Sequence, residues 1–133
     1  MQLGRYSFVS TVSFNADLQR FADKTGVKLD LVVRKVALDI YEKVTVKTPV
    51  DTGRARGNWN VSMGSPDLSV NNKATRAKRA RLKKGDGEKV IFITNNLPYI
   101  NALENGHSDQ APSGMLAVTL NEVEAGIRDV IRG

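Results

Sequence analysis

Apolar side chains recur every three or four residues between Val27 and Lys47, and charged side chains fill the positions between them. This spacing predicts an amphipathic helix over 27–47. Many of its apolar residues are β-branched and weaken helix propensity, so packing of the apolar stripe against a sheet must stabilise the helix. Thr48-Pro49 ends it, because proline disfavours helical geometry in the residue before it. The apolar stripe consists of Leu29, Val32, Val33, Val36, Ala37, Ile40, Tyr41 and Val44.

The first 14 residues alternate differently, with apolar side chains at every second position of two short runs. Alternation predicts an extended arm or an edge strand over 1–14, which could equally pair with a neighbouring subunit. Asn15 or Asp17 can then cap a helix that continues to Gly26. The alternating residues are Tyr6, Phe8, Val12 and Phe14.

Two later segments have the pattern of strands. Residues 57–63 alternate Trp59, Val61 and Met63 with polar residues, which predicts a half-buried strand with Trp59 in the core. Residues 89–94 (KVIFIT) form a β-branched and aromatic run that predicts a buried central strand. Residues 68–70 can add a short strand.

The C-terminal third predicts two more helices, a short one over 99–104 and a long one that starts after Ser113 or Gly114. With the earlier elements this gives an α+β domain: a long helix in the N-terminal half and a C-terminal helix pack on a small, mainly antiparallel sheet. A chain of 133 residues fits a single domain, 1–133.

A tight turn separates the long helix from the first of these strands. In 49–54 (PVDTGR), Asp51 can bind backbone amides two or three residues further on, and Gly53 can take a positive φ angle. Asp51 can also pair with Arg54. We expect this turn to be structural.

Positive charge is concentrated in one segment. Residues 73–89 contain eight basic and two acidic side chains, a net +6 that equals the charge of the whole chain. The basic loop, residues 71–88, therefore predicts a surface that meets phosphates or an acidic partner; a merely solvated loop is the alternative. Base-specific reading is disfavoured because aromatic side chains are lacking. We expect the loop to be mobile before assembly and ordered by binding. Its central cations are Lys73, Arg76, Lys78, Arg79, Arg81, Lys83 and Lys84.

Candidate catalytic chemistry is sparse. Cysteine is absent and His107 is the single histidine, which excludes thiolate nucleophiles and multi-histidine metal sites. His107 with Glu104 and Asp109 could form a carboxylate–histidine pair or ligate a divalent ion, but no nucleophile stands at a recognisable spacing and a purely structural role is favoured. No catalytic residue, metal or cofactor is predicted. No apolar run is long enough to span a bilayer, and the N-terminus does not have the pattern of a signal peptide, so synthesis in a cytoplasm is expected.

Two separated motifs in order, TPVDTGRARGNW at 48–59 and ITNNLPYINALENGHS at 93–108, resemble the small tail-component family of long-tailed bacteriophages. The resemblance extends from about residue 27 to the C-terminus, without the arm and the basic loop. The resemblance implies a structural motif whose residues in this sequence are Pro49, Asp51, Gly53, Arg54, Tyr99, Glu104 and Gly106.

The resemblance implies a virion structural protein rather than an enzyme. Such a subunit acts in head-tail joining or tail completion. It forms a hexameric ring around the DNA channel. Its partners would be a tail tube or tail terminator protein and a head connector or stopper protein, with non-specific contact to genomic DNA. It would be assembled in the host cytoplasm and located in the tail or neck of the virion. The alternatives are a free, non-specific nucleic-acid-binding protein that uses 73–84 and, far behind, a hydrolase.

Overall fold

The computed structural model describes residues 2–3, 11–50, 53–100, 103, 105 and 114–133. Among these residues, three long helices and three strands make up the α+β fold that the sequence predicted. Their order is β1 (Gln2–Leu3), α1 (Thr11–Thr25), α2 (Leu29–Lys47), β2 (Trp59–Met63), β3 (Ile91–Asn95) and α3 (Leu116–Arg132), with 3-10 turns at Arg56–Asn58 and Asp86–Glu88.

β3 is the central strand of the sheet, as predicted. The strand order is β1-β3-β2. β2 runs antiparallel to β3, with Trp59 opposite Asn95 and Met63 opposite Ile91, whereas β1 runs parallel to it. Every residue of β3 is buried, which explains why Ile91, Phe92 and Ile93 follow one another without polar alternation.

The apolar stripe of α2 faces the sheet and the other two helices. Ile40 and Val44 are fully buried and belong to one cluster with Trp59 and Ile93. Full burial of an Ile or Val side chain stabilises the fold by about 1.5–3 kcal/mol relative to exposure. The packing that the weak helix propensity of α2 requires is therefore present, and the prediction that Trp59 is a core residue is confirmed.

The N-terminal arm is shorter than predicted. α1 begins at Thr11, so residues 11–14 are helical and not part of an extended arm. Asp17 does not cap this helix but lies within it, where its carboxylate contacts Arg20 at 3.4 Å and Arg128 of α3 at 3.3 Å. Only Gln2–Leu3 is described as a strand, and residues 4–10 lie outside the described residues.

The predicted strand at 68–70 is wrong, since these residues have no regular secondary structure. Side chains hold the segment instead. Thr94 Oγ1 donates to the carbonyl of Asp67 (2.7 Å), and the Asn96 side-chain amide donates to the same carbonyl (2.8 Å). These hydrogen bonds from side chains hold the segment in place without adding a strand to the sheet.

The C-terminal predictions hold where they can be compared. α3 spans Leu116–Arg132 and follows Gly114, which has a φ of +83°. Ile100 and Leu103 are helical, in agreement with the short helix predicted over 99–104, but its other members include residues outside the described ones.

Thr48 and Arg56 complete the C-terminal end of α2. The buried Thr48 hydroxyl donates to the Val44 carbonyl (2.6 Å) and accepts the indole N–H of Trp59 (2.9 Å). The Arg56 guanidinium donates to the carbonyls of Val46 and Thr48, both at 2.7 Å. Carbonyl groups at a helix end have no intrahelical partner, so this arginine satisfies two of them.

Thr48→Val should therefore destabilise the protein. The substitution leaves the buried N–H of Trp59 without its acceptor, and the free energy of unfolding from urea titration should fall by about 1–3 kcal/mol. Thr119→Val is the matched control: the buried Thr119 hydroxyl has no hydrogen-bond partner among the described residues, so stability should be unchanged or higher. Equal losses in the two variants would contradict the role given to the Thr48 hydroxyl.

Candidate functional site

The start of the basic loop is seated directly on the turn that follows α2. Gly53 has a φ of +70°, as predicted, and a Cβ atom built there would overlap the carbonyl of Thr75. A Cβ at Gly57 would come within 2.6 Å of the Ala74 side chain and of the Arg76 carbonyl. Both glycines are needed because the loop backbone passes where a side chain would stand.

Asn58 ties the same part of the loop to the body. Its side-chain N–H groups donate to the carbonyls of Arg54 (2.7 Å) and Asn71 (3.0 Å), and its Oδ1 accepts the Asn71 amide (2.7 Å). The residue is 1% exposed. Buried amide groups that are fully paired in this way fix the position of both chain segments.

The middle of the loop is held by Tyr41 of α2 and Asn60 of β2. The Tyr41 hydroxyl donates to the carbonyl of Lys78 (2.8 Å) and lies 3.4 Å from the carbonyl of Trp59. Burial raises the pKa of Tyr41 above its ordinary value, which keeps the hydroxyl protonated as a donor. The Lys78 ammonium donates to Asn60 Oδ1.

Asp67 also lies close to Lys78. The hydroxyl and amide of Ser69 lower the pKa of the Asp67 carboxyl, and the positive charge of Lys78 lowers it further. Lys78 is thus engaged by an amide oxygen and by a nearby carboxylate. The Lys78 ammonium is therefore partly engaged within the protein, although the residue is exposed.

Asp30 clamps the C-terminal end of the loop. Its carboxylate accepts the amides of Gly85 (3.0 Å) and Gly87 (2.7 Å) and lies 3.1 Å from the Arg34 guanidinium. The Gly85 amide is the largest cause that lowers the pKa of Asp30, and Gly87 and Arg34 lower it further while burial opposes them. The clamp is therefore formed by a charged carboxylate at neutral pH.

These anchors make the loop run antiparallel to α2. Lys78 lies at Tyr41, and Gly85 lies at Asp30, eleven residues earlier in the helix. At about 1.5 Å per residue the two anchors are roughly 16 Å apart along the helix. Seven residues of loop cover this span at about 2.4 Å each, more than the roughly 1.5 Å of a helix and less than the roughly 3.3 Å of a strand, so this part of the loop is stretched relative to a helix but not fully extended.

All seven predicted cations are exposed and have no carboxylate within 4.0 Å, as far as the described residues go, and six of them also lack a side-chain hydrogen bond to the protein body. They are Lys73, Arg76, Arg79, Arg81, Lys83 and Lys84. Lys78, the seventh, is the anchor at Asn60. The expectation that the loop is mobile before assembly does not fit this arrangement, because its backbone is bonded to the body at several points and Ala80 packs against the core.

The residues of the predicted structural motif are partly brought together. Pro49, Arg54 and Tyr99 line a groove of about 660 Å³ beside Lys73. Pro49 is buried, the Arg54 guanidinium donates to Asn72 Oδ1 (2.5 Å), and it lies 5.7 Å from the centre of the Tyr99 ring. The remaining predicted positions, Asp51, Glu104, Gly106, His107 and Asp109, lie outside the described residues.

Sequence reasoning missed the residues that order the loop. Asn58 and Asn60 fall on the polar side of the predicted strand, yet both are buried (1% and 4% exposed) because residues 67–78 cover them. Tyr41 belonged to the apolar stripe and Asp30 to the charged face of α2. The sequence held one signal of these buried asparagines. Asparagine has a low strand propensity, yet two of them flank Trp59 in the predicted strand.

Two further properties follow from the described residues. They contain no group of three or more histidine, aspartate or glutamate side chains placed to hold a metal ion. None of their helices is both long and apolar enough to cross a bilayer.

A family model matches most of the chain. The family described as "Bacteriophage HK97-gp10, putative tail-component" matches residues 13–106, which is 94 of the 133 residues. No curated protein and no solved structure matches the chain. The matched range includes the first motif, the basic loop and the second motif as far as Gly106, and it confirms the resemblance to phage tail components.

Gly53→Ala tests the seating of the loop on the turn. Alanine at a positive φ costs roughly 1–2 kcal/mol, and overlap with Thr75 should bring the loss of stability to at least about 3 kcal/mol. The control is Gly26→Ala, where φ is +71° but no atom lies within 4 Å of the added Cβ, so only the backbone cost is expected. Chemical denaturation of the two variants measures the difference; equal losses would show that Thr75 does not pack on Gly53.

Proposed function

Because the chain belongs to this family of bacteriophage tail components, we propose that it is a head-tail joining or tail-completion subunit that forms a hexameric ring around the DNA channel. The coarser role, a structural component of the virion that interacts with other head or tail proteins, follows from the family itself. The ring, its place at the neck and the absence of catalysis are the proposal.

The distribution of charge supports a role in assembly. The exposed cations of the basic loop carry most of the net positive charge, and the loop is bonded to α2 and β2 rather than left free. A localised field of one sign steers docking and favours partners of opposite charge. At a neck those partners are the genome and the acidic surfaces of neighbouring rings.

Exposed apolar side chains offer further contacts for neighbouring proteins. Val46 and Leu68 are each 68% exposed, and Val90 is 51% exposed. Single exposed apolar residues are common on monomers, but burial between subunits would give each of them a favourable role. The proposed ring partners are the tail tube or tail terminator protein below and the head connector or stopper protein above.

A second candidate function is that of a free, non-specific nucleic-acid-binding protein. The exposed cations of the basic loop favour it, since Lys and Arg contacts to phosphates supply most of non-specific binding. The two functions differ in where the protein is found. A ring subunit is present in a fixed number in purified virions, whereas a free binding protein stays in the lysate.

Removal of the protein from the phage that encodes it tests the proposal. An early stop codon in its reading frame should leave DNA-filled heads and separate tails, visible by electron microscopy, and expression of the wild-type protein in the same cells should restore joined particles. Quantitative mass spectrometry of purified wild-type virions should find about six copies per particle for a hexameric ring. Joined, infectious particles without the protein would overturn the proposal.

A further inference from the structure

Side chains alternate between two sides in the stretched part of the basic loop. Arg79, Arg81 and Lys83 are exposed, while Ala80 and Leu82 between them are half-buried. Ala80 packs against the hydrophobic core, and residues 77–82 form a groove with Leu38, Tyr41 and Glu42 of α2. The three exposed residues, the cation row, therefore project from the same side of the loop.

The cation row is fixed at both of its ends. The Tyr41 hydroxyl holds the carbonyl of Lys78 directly before it, and Asp86 Oδ2 accepts the amide of Lys83 (2.7 Å). Asp30 holds the next residues through Gly85 and Gly87. A surface that is ordered before binding loses less entropy when a ligand arrives.

The chemistry of the row favours phosphates over a protein surface. Among the described residues no carboxylate lies within 4.0 Å of any of its three cations, although Glu42 lines the same groove as Arg79 and Arg81. Apart from the row itself, residues 77–84 contain only alanine, leucine and lysine. Protein interfaces are usually centred on buried aromatic and apolar groups, which the row lacks. Guanidinium groups bind phosphate oxygens with two parallel hydrogen bonds and require no apolar neighbour.

The missing aromatic residues also indicate which nucleic acid would bind. Single strands are usually held by stacking of bases on aromatic side chains, and none lies between residues 76 and 84. A duplex presents regularly spaced phosphates and keeps its bases stacked inside. The row can therefore contact a duplex through its backbone alone.

We propose that Arg79, Arg81 and Lys83 form a pre-ordered binding site for the phosphate backbone of double-stranded DNA, and that Lys78 is a positioning residue of this site rather than a contact. Binding is independent of sequence. The inference rests on the proposed function in that the duplex would be the genome at the neck. It assigns the cation row to DNA and not to an acidic ring protein.

Binding of the purified full-length protein to a fluorescent double-stranded oligonucleotide, followed by anisotropy across a series of NaCl concentrations, tests the site. The variant R79Q/R81Q/K83Q should bind more weakly, and the slope of log K against log salt should become shallower by about 0.9 for each lost phosphate contact, roughly 3 in all. The matched control K24Q/K35Q/R132Q removes the same charge from exposed positions on the three helices and should keep the wild-type slope.

The substitution Tyr41→Phe tests whether DNA binding requires the ordered loop or only its positive charge. It keeps every charge but removes the hydroxyl that holds the Lys78 carbonyl, and DNA affinity should fall about 5-fold, the effect of one net hydrogen bond. Unchanged affinity in this variant, equal losses in the two triple variants, or no salt-dependent binding by the wild type would each overturn the inference.

The particle phenotype separates this inference from the proposed function. R79Q/R81Q/K83Q subunits should still be found in virions, which should release their DNA more readily. A variant that binds DNA like the wild type but fails to join heads to tails would assign the row to a protein partner, against the inference. The proposed ring function fails instead only if particles form normally without the protein.

Discussion

Neutral and acidic side chains of the protein body bind the backbone of the basic loop and leave most of its cations in solvent. Neighbouring like charges repel one another, so a cationic segment without such contacts would gain little from a fixed conformation. Tyr41 and Asp30 of α2 and Asn58 before β2 supply hydrogen bonds to its carbonyls and amides. The loop can therefore be ordered and strongly cationic at the same time.

This constraint gives a physical meaning to the first family motif. In TPVDTGRARGNW, Thr48 and Arg56 complete the end of α2, and Trp59 fills the core. Gly53 and Gly57 leave room for the loop backbone, and Asn58 binds it. The residues of the motif thus form the surface on which the basic loop packs. Such an arrangement suits a structural protein that docks with other proteins.

The elements predicted correctly are those specified by local patterns. The period of α2, the apolar run Ile91 to Ile93 of β3 and the positive φ of Gly53 depend on neighbours in the sequence and can be read from it. The anchors could not be, since Asp30 meets Gly87 across 57 residues and Tyr41 meets Lys78 across 37. Burial of Asn60 likewise results from a segment that folds over it. The start of α1 was misplaced because alternation over a few residues resembles a strand.

Backbone order of the basic loop in the isolated protein tests the central claim most directly. Nitrogen-15 relaxation measures the order parameter of each amide on the picosecond to nanosecond timescale without DNA or a partner present. If the anchors order the loop, the order parameters of residues 74–87 should be about 0.85, close to those of α2. Values below about 0.6 across this range would show a loop that is flexible before assembly and would contradict the account.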